Sequence, residues 1–209
     1  MDPSLSEIER RVADGDSAAL AEAFELHRDR LKRMIAIRMN PRLNQRLSES
    51  DIMQEAFVDA QTRVNEWKPK KMPLFLWLRL LTGQKLVELN RFHVVTQKRS
   101  ANREVSIHNR MSPDASVASM AGLLVGKLTT VSQAAVKEEI RELIRKTLSQ
   151  LRPLDREVLS LRHFEQLTNA EAARELNVAP STASERYFRA LEKLRTILEQ
   201  YPEVFGSTN

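Results

Sequence analysis

The chain has 209 residues, with 33 Lys and Arg against 28 Asp and Glu, only 5 Gly and no Cys. This length is enough for one large domain or two small ones. The absence of Cys excludes disulfides, thiolate zinc sites and cysteine nucleophiles, and it is typical of proteins from a reducing compartment. The few Gly and the 5% aromatic residues disfavour a β-sandwich or barrel, which needs both in its turns and strands. The composition therefore predicts an all-α protein.

The sequence contains no segment that resembles a secretory signal or a membrane span. Residues 1–11 include three acidic side chains and no apolar core, unlike a signal peptide. The most apolar stretch, residues 73–83, is about half as long as a spanning helix requires, and Arg79 interrupts it. We therefore expect a cytoplasmic protein without membrane insertion.

Apolar residues recur at helical spacing through the first half of the chain, and Pro residues separate the resulting blocks. A short helix is predicted over 4–12. Asp16 or Ser17 can cap a long helix that runs to about Met39.

Two further helices are predicted before residue 100. Ser48 and Asp51 fit a capping box at the start of a helix over 52–67. Pro73 suits the first position of the next helix, over 75–92, because a missing N–H costs nothing there.

Residues 104–131 are predicted to be a flexible linker. This stretch has few charges, no sustained helical period, several Ser and the pair Gly122 and Gly126, all typical of connecting segments. A short helix over 117–128 is the alternative. The sequence thus predicts two small helical domains, residues 1–103 and 132–200, joined by this linker and followed by a tail over 201–209.

Shorter helices are predicted after the linker. The first, over 138–151, has an apolar face, and Pro153 begins the next. Thr168 can cap a short helix, and Ser181 can cap the last long helix of the chain.

The strongest local pattern is a helix-turn-helix over 167–194. Small Ala172 and Ala173 let two helices cross closely, and a turn at 177–180 sets their angle. The second helix would lie in the major groove of DNA and offers polar and basic side chains to base edges and phosphates: Ser181, Thr182, Ser184, Glu185, Arg186 and Arg189. An ordinary pair of amphipathic helices is the alternative, and the polar cluster near the helix start favours DNA.

Two sets of motifs, in the expected order, resemble those of bacterial sigma-70-like factors. The sequence LxPxxREVLxLR at 151–162, followed by the helix-turn-helix, resembles their second DNA-binding domain. In the first half, DIMQEAF at 51–57 resembles their polymerase-binding motif. FxWL at 75–78, with Glu88 and Arg91, resembles their promoter-melting segment. With two domains and a short linker, the chain is similar to the extracytoplasmic-function (ECF) group of these factors.

The resemblance implies a transcription initiation factor with no catalytic site, cofactor or metal of its own. It would bind the β′ and β subunits of core RNA polymerase through Asp51, Gln54 and Glu55. Its C-terminal helix-turn-helix would recognise the −35 promoter element. Its N-terminal domain would open the −10 element through a set of aromatic, basic and acidic residues: Trp67, Lys68, Lys70, Lys71, Glu88, Arg91, Lys98 and Arg99.

The polymerase-binding helix departs from the family at two positions. Where the family usually has acidic residues, this chain has Ser48 and Ser50. A phosphate on either Ser would add a charge of about −1.5 to −2 at a helix N-terminus. A regulatory kinase is therefore one partner to consider, and an anti-sigma factor, which the family implies, is another.

The charge distribution agrees with a protein that binds both protein and DNA. Residues 28–46 hold seven Arg and Lys against one Asp, whereas residues 49–66 hold five acidic side chains against one Arg. An acidic helix between basic stretches favours separate protein-binding and nucleic-acid-binding sides.

Three other classes of function compete with this interpretation, and one of them, a purely structural helical adaptor, is disfavoured by the basic stretches. A helix-turn-helix activator or repressor would bind a palindromic site as a symmetric dimer without core polymerase, but this leaves the DIMQEAF motif unexplained. A nucleic-acid-processing enzyme is disfavoured because the sequence has no P-loop and no nucleophile elbow, and its four His residues are scattered.

Overall fold

The computed structural model of the chain describes residues 3–39, 43, 46–95, 113–128 and 134–199. Within these ranges all regular secondary structure is helical, and no strand is present. The chain divides into two compact units, Met1–Met111 and Ser112–Asn209. The all-α prediction is therefore confirmed.

Within the described residues, the N-terminal unit consists of five α-helices around an apolar core. They are α1 (Pro3–Ala13), α2 (Ser17–Leu26), α3 (Arg28–Arg38), α4 (Glu49–Arg63) and α5 (Leu74–Val95), with a short 3-10 helix, Val64–Glu66, directly after α4. One core cluster joins Ile35 of α3, Ile52 of α4 and Leu86 of α5, each at most 1% exposed. Burying a side chain of this size contributes about 1.5–3 kcal/mol, so these contacts hold the three helices together.

Local sequence signals explain how α1 ends and α2 begins. Gly15 adopts φ +84°, a conformation that an L-residue rarely tolerates. The side chain of Asp16 then accepts hydrogen bonds from the backbone N–H groups of Ala18 and Ala19, at 2.8 and 3.1 Å. Asp16, rather than Ser17, is the N-cap of α2.

The prediction of one long helix from Ser17 to Met39 is wrong, because two helices occupy this stretch. His27 separates α2 from α3 with φ −100° and ψ 6°, outside the α-helical range. Its imidazole is buried and lies against Phe75 of α5, with 5.1 Å between the ring centroids. The bend therefore directs a ring from the α2–α3 junction onto α5, a long-range contact that helical periodicity does not reveal.

In the part of the C-terminal unit that the structure describes, five further α-helices are present. They are α6 (Pro113–Leu128), α7 (Ala134–Ser149), α8 (Pro153–Leu159), α9 (Asn169–Glu175) and α10 (Pro180–Leu198), with one π-helical segment, Ser160–Phe164, after α8. Helix α8 packs against α10, and α10 packs against α9. This arrangement places the predicted helix-turn-helix, α9 and α10, on a support formed by α8.

The prediction of a linker over 104–131 is wrong for residues 113–128. These residues form α6, which packs against α7. Its buried residues Val117, Met120, Ala121 and Val125 recur at helical spacing and form an apolar stripe. Residues 104–112 and 129–131 of the predicted linker, and the predicted tail over 201–209, lie outside the described residues.

The start of the last helix also differs from the prediction. Helix α10 begins at Pro180, so Ser181 lies inside the first turn and is not its N-cap. Proline is favoured at this first position because its fixed φ suits a helix and its missing N–H costs nothing there. Asn169 Nδ2 donates a hydrogen bond to the Pro180 carbonyl oxygen at 2.8 Å, which joins the starts of α9 and α10.

Candidate polymerase-binding and nucleic-acid interfaces

The start of α4 forms the capping box that the sequence predicts. The Ser48 hydroxyl accepts a hydrogen bond from the Asp51 N–H at 3.2 Å, and the Asp51 carboxylate accepts one from the Ser48 N–H at 2.7 Å. The carboxylate accepts this bond from the Ser48 backbone and a second one from the Ser48 hydroxyl, and both lower the pKa of Asp51 below its usual range. Asp51 is therefore ionised at neutral pH. It is exposed together with Gln54 and Glu55, so the three predicted polymerase contacts share an accessible helix.

The two serines at the start of α4 have different surroundings. The Ser48 hydroxyl also donates to the Asp51 carboxylate at 2.8 Å, so a phosphate there would lie beside an existing negative charge. Ser50 is exposed and lies at the edge of a cleft of about 280 Å³, whose rim also includes Arg28. Of the two, Ser50 has the more suitable position for an added negative charge.

This cleft lies between α4 and the α2–α3 junction. Its apolar surface includes Met53 of α4 and the rings of Phe24 and Phe57, which meet edge to face with centroids 5.2 Å apart. Gln54, a predicted polymerase contact, forms part of its rim. The exposed polar face of α4 is thus continuous with an apolar recess.

The structure contradicts the prediction that Trp67 offers a stacking surface to DNA. Its side chain is only 2% exposed, packs against Trp77 with centroids 6.4 Å apart, and donates its indole N–H to the Met72 carbonyl oxygen at 2.9 Å. A ring this deeply buried cannot receive a base. Trp67 instead anchors the following loop, and Trp77 is also buried.

The loop over 68–72 is compact and carries the predicted cations outward. The Lys68 carbonyl oxygen accepts hydrogen bonds from the N–H groups of Lys71 and Met72, at 2.9 and 3.2 Å. Lys68, Lys70 and Lys71 are all exposed. The structure places these three Lys on one exposed loop, and their contacts with backbone phosphates stay a prediction.

One of the predicted −10 residues on α5, Glu88, is linked to α4 through Lys85. Glu88 is exposed, and its carboxylate lies 2.9 Å from Nζ of Lys85, which also lies 3.0 Å from Asp59 of α4. The hydrogen bond to Glu88 is the main cause of the raised pKa of Lys85. Arg91 is exposed on the same helix. Lys98 and Arg99, the last two predicted −10 residues, lie outside the described residues.

A capping box and a tight turn define the helix-turn-helix. Thr168 and Glu171 form the reciprocal cap of α9, which confirms Thr168 as the cap. At its end, Asn177 adopts φ 51°, and the Val178 N–H bonds to the Ala173 carbonyl oxygen at 2.9 Å. This is a Schellman-type C-cap with Asn in the left-handed position. The turn therefore fixes the direction of α10.

Helix α10 has an inward and an outward side. Ala183 is fully buried and packs with Val158 and Ala173, and Tyr187 covers this cluster. The predicted DNA-binding side chains are exposed or half-buried on the remaining surface: Ser181, Thr182, Ser184, Glu185, Arg186 and Arg189. The structure thus places all six on the recognition helix, and their contacts with DNA stay a prediction.

Sequence reasoning missed two residues near this surface. Phe188 of α10 is 67% exposed, one helical turn from Ser184 and Glu185, and an apolar side chain there can contact a thymine methyl group. Helical spacing from Glu185 could have identified it. Arg152 and Arg189 both form ion pairs with Asp155 and are therefore neighbours. No sequence pattern reveals this proximity.

The described part of the chain contains no group of His, Asp and Glu arranged to hold a metal ion. In the same residues, no helix combines the length and the apolar character needed to cross a membrane.

Comparisons with known proteins agree with the C-terminal interface and with the fold. Residues 141–194, from α7 to α10, match the family model for sigma-70 region 4. A solved structure of CnrH in complex with the cytosolic domain of CnrY is similar to the chain, with a TM-score of 0.54, 19% identity, and coverage of 93% of this chain and 96% of the matched one. No curated protein matches by sequence. The region 4 part of the resemblance is therefore confirmed, and the chain carries a sigma-70 region 4 domain within a fold that it shares with CnrH.

Proposed function

We propose that this protein is a promoter-specificity factor that binds core RNA polymerase and directs it to −35 and −10 elements. The observation that carries this proposal is the region 4 match over a helix-turn-helix whose second helix exposes a polar and basic surface. The factor itself would be non-catalytic, with the chemistry performed by the polymerase. Its proposed partner places it in the cytoplasm.

The N-terminal unit supplies the surfaces that such a factor needs besides −35 recognition. The exposed side chains Asp51, Gln54 and Glu55, beside the apolar cleft, would bind the polymerase β′ and β subunits. A polar rim around an apolar recess is the usual arrangement of a protein–protein interface. The loop over 68–72 and the exposed Glu88 and Arg91 of α5 would contact the −10 element.

The connection between the two units is long enough to reach separated promoter elements. Seventeen residues, 96–112, lie between the described ends of α5 and α6. A chain of this length spans at most about 60 Å, nearly two DNA turns of about 34–36 Å each. Two weak sites linked in this way bind more tightly together than either does alone.

Regulation by a partner protein is also part of the proposal. CnrH, whose fold this chain shares, was solved in complex with the cytosolic domain of CnrY. This supports an anti-sigma-type protein as a regulator of the present chain. The exposed Ser50 at the edge of the cleft supports a regulatory kinase as a second one.

The purified protein is expected to co-elute with core RNA polymerase and to support initiation from a promoter with suitable −35 and −10 elements. Gln54→Ala is expected to weaken core binding by about 1–2 kcal/mol, since an exposed side chain at the interface is lost while the fold is unaffected. Core affinity is measured by competition with a labelled wild-type protein, and Gln150→Ala, an exposed Gln of the other unit, is the matched control.

Other outcomes of this experiment have definite meanings. If the protein binds DNA as a symmetric dimer but neither co-elutes with core nor initiates transcription, it is a helix-turn-helix regulator instead.

Variants of Ser50 test the proposed kinase. Because aspartate imitates the negative charge of a phosphate, Ser50→Asp should bind core polymerase more tightly than Ser50→Ala. Equal affinities would remove the kinase from the proposal.

Arg186→Ala is expected to cost about 1–3 kcal/mol of affinity at a single −35 base pair. The Arg186 side chain makes no ion pair or hydrogen bond within the part of the chain that the structure describes, so its guanidinium can donate two hydrogen bonds to one guanine. The measurement compares wild-type and variant holoenzymes on a set of −35 sequences with one substitution each. An equal loss on every sequence would show a phosphate contact and contradict base reading by Arg186.

A further inference from the structure

Two arginines meet one buried carboxylate beside the recognition helix. The side chain of Asp155, on α8, is only 5% exposed. Arg152 Nε lies 2.8 Å from its Oδ2, and Arg189 Nη1 lies 3.8 Å from its Oδ1. The two guanidinium groups, one before α8 and one on α10, are therefore close neighbours in space.

The two arginines relate to Asp155 in different ways. A buried carboxylate needs a hydrogen-bonded partner, and Arg152 provides a charge-assisted hydrogen bond of ordinary length. The contact from Arg189 is too long for a hydrogen bond. Asp155 thus attracts the Arg189 guanidinium and fixes its place, yet leaves the N–H donors of Arg189 for another acceptor.

The cluster has an excess of positive charge and open donors. Its two cations surround one anion, and the side chains of Arg152 and Arg189 are 63% and 52% exposed. Among the described residues, the Nη groups of Arg152 bond to no other side chain. A phosphate group, with several acceptor oxygens and a negative charge, matches two such planar forks.

The position of Arg189 along α10 indicates which phosphate is involved. A recognition helix contacts base edges with its N-terminal residues, which here are residues 181–186. Arg189 lies nine residues after Pro180, about 13 Å along the helix axis, where the helix leaves the groove and passes the sugar–phosphate backbone.

We propose that Arg152 and Arg189 together bind a backbone phosphate of DNA flanking the −35 element, with Asp155 as their positioning residue. The proposal rests on the proposed −35 recognition by this unit. It adds Arg152 to the DNA-binding surface and assigns Arg189 to the backbone rather than to a base. The contribution of this phosphate contact to the affinity for DNA is accordingly independent of base sequence.

The test measures the binding of duplex DNA at several salt concentrations between about 50 and 200 mM. Holoenzyme containing the full chain, and the free chain, are each titrated with a labelled −35 duplex and with a scrambled duplex of equal length. The double variant Arg152→Gln, Arg189→Gln is expected to lower the slope of log affinity against log salt by about 0.9, the value for one phosphate. Arg152→Gln alone should weaken binding about tenfold on both duplexes.

Two control variants separate this site from a structural or general charge effect. Arg152→Lys keeps a cation beside Asp155 and is expected to retain the wild-type salt slope. Arg195→Gln removes an equal charge from another face of α10, where Arg195 is bonded to Glu199 at 2.7 Å, and should bind within about twofold of wild type.

If Arg152→Gln and Arg195→Gln give the same affinity and salt slope, the phosphate site is refuted. A loss by Arg152→Gln on the −35 duplex but not on the scrambled one would equally overturn it. Failure of the wild-type chain to form holoenzyme would instead refute the proposed function, while titration of the free chain would still test the phosphate site.

Discussion

Trp67→Ala is expected to destabilise the N-terminal unit by about 3–5 kcal/mol, the usual cost of removing a large aromatic side chain from a core. The substitution removes a ring that is 2% exposed and packed on Trp77, together with the hydrogen bond to the Met72 carbonyl oxygen. Since the sequence has only two Trp, both in this unit, the fluorescence of Trp77 in urea reports its unfolding free energy directly.

Trp67→Phe separates the two contributions of the indole. It keeps an aromatic ring in the core but leaves the Met72 carbonyl oxygen without its donor, which costs about 1–3 kcal/mol if the group stays buried. The loop over 68–72 should then exchange its amide hydrogens faster than in the wild type, and opening of the −10 element should slow. If Trp67→Ala unfolds with the same urea midpoint as the wild type, Trp67 does not anchor the loop.

Ala183→Leu is expected to lower both the stability of the C-terminal unit and its affinity for −35 DNA. Ala183 is fully buried, with Val158 of α8 and Ala173 of α9 packed against it. Three added carbons have no space there, and overpacking of this kind costs about 1–3 kcal/mol. Because α10 must move outward to relieve the contact, the recognition surface is displaced relative to α9.

The matched control for Ala183→Leu is the same change at Ala118, an exposed residue of α6, which should alter stability by less than about 0.5 kcal/mol. Thermal unfolding followed by far-UV circular dichroism gives the stability, and anisotropy with a −35 duplex gives the affinity. Equal behaviour of the two variants would mean that close packing at Ala183 does not position α10.

The features that sequence predicted well are determined by residues close together in the chain. The capping boxes of Ser48 with Asp51, and of Thr168 with Glu171, each need only four residues, and both are present. The helix-turn-helix was likewise visible because its small residues, turn and polar cluster are adjacent in sequence.

The features that sequence missed depend on contacts between distant residues. The Gly and Ser of α6 predict a flexible linker, whereas packing of its apolar stripe on α7 stabilises a helix. The sequence around Trp67 is compatible with an exposed or a buried ring, and the burial of the ring depends on its packing against Trp77. The meeting of Arg152 with Arg189 arises where α8 and α10 pack together.

The ion pair of Glu88 with Lys85 raises the free energy that is needed for the contact with DNA that we propose for Glu88. In the free protein the Glu88 carboxylate already has a cationic partner at 2.9 Å, so a base must compete with that partner rather than with water alone. Lys85 keeps Asp59 at 3.0 Å when Glu88 turns away, so the exchange leaves no buried cation unpaired. On the proposed −10 contact, a base that bonds well to the Glu88 carboxylate would displace Lys85 and a base that bonds poorly would not, so the ion pair would add sequence discrimination.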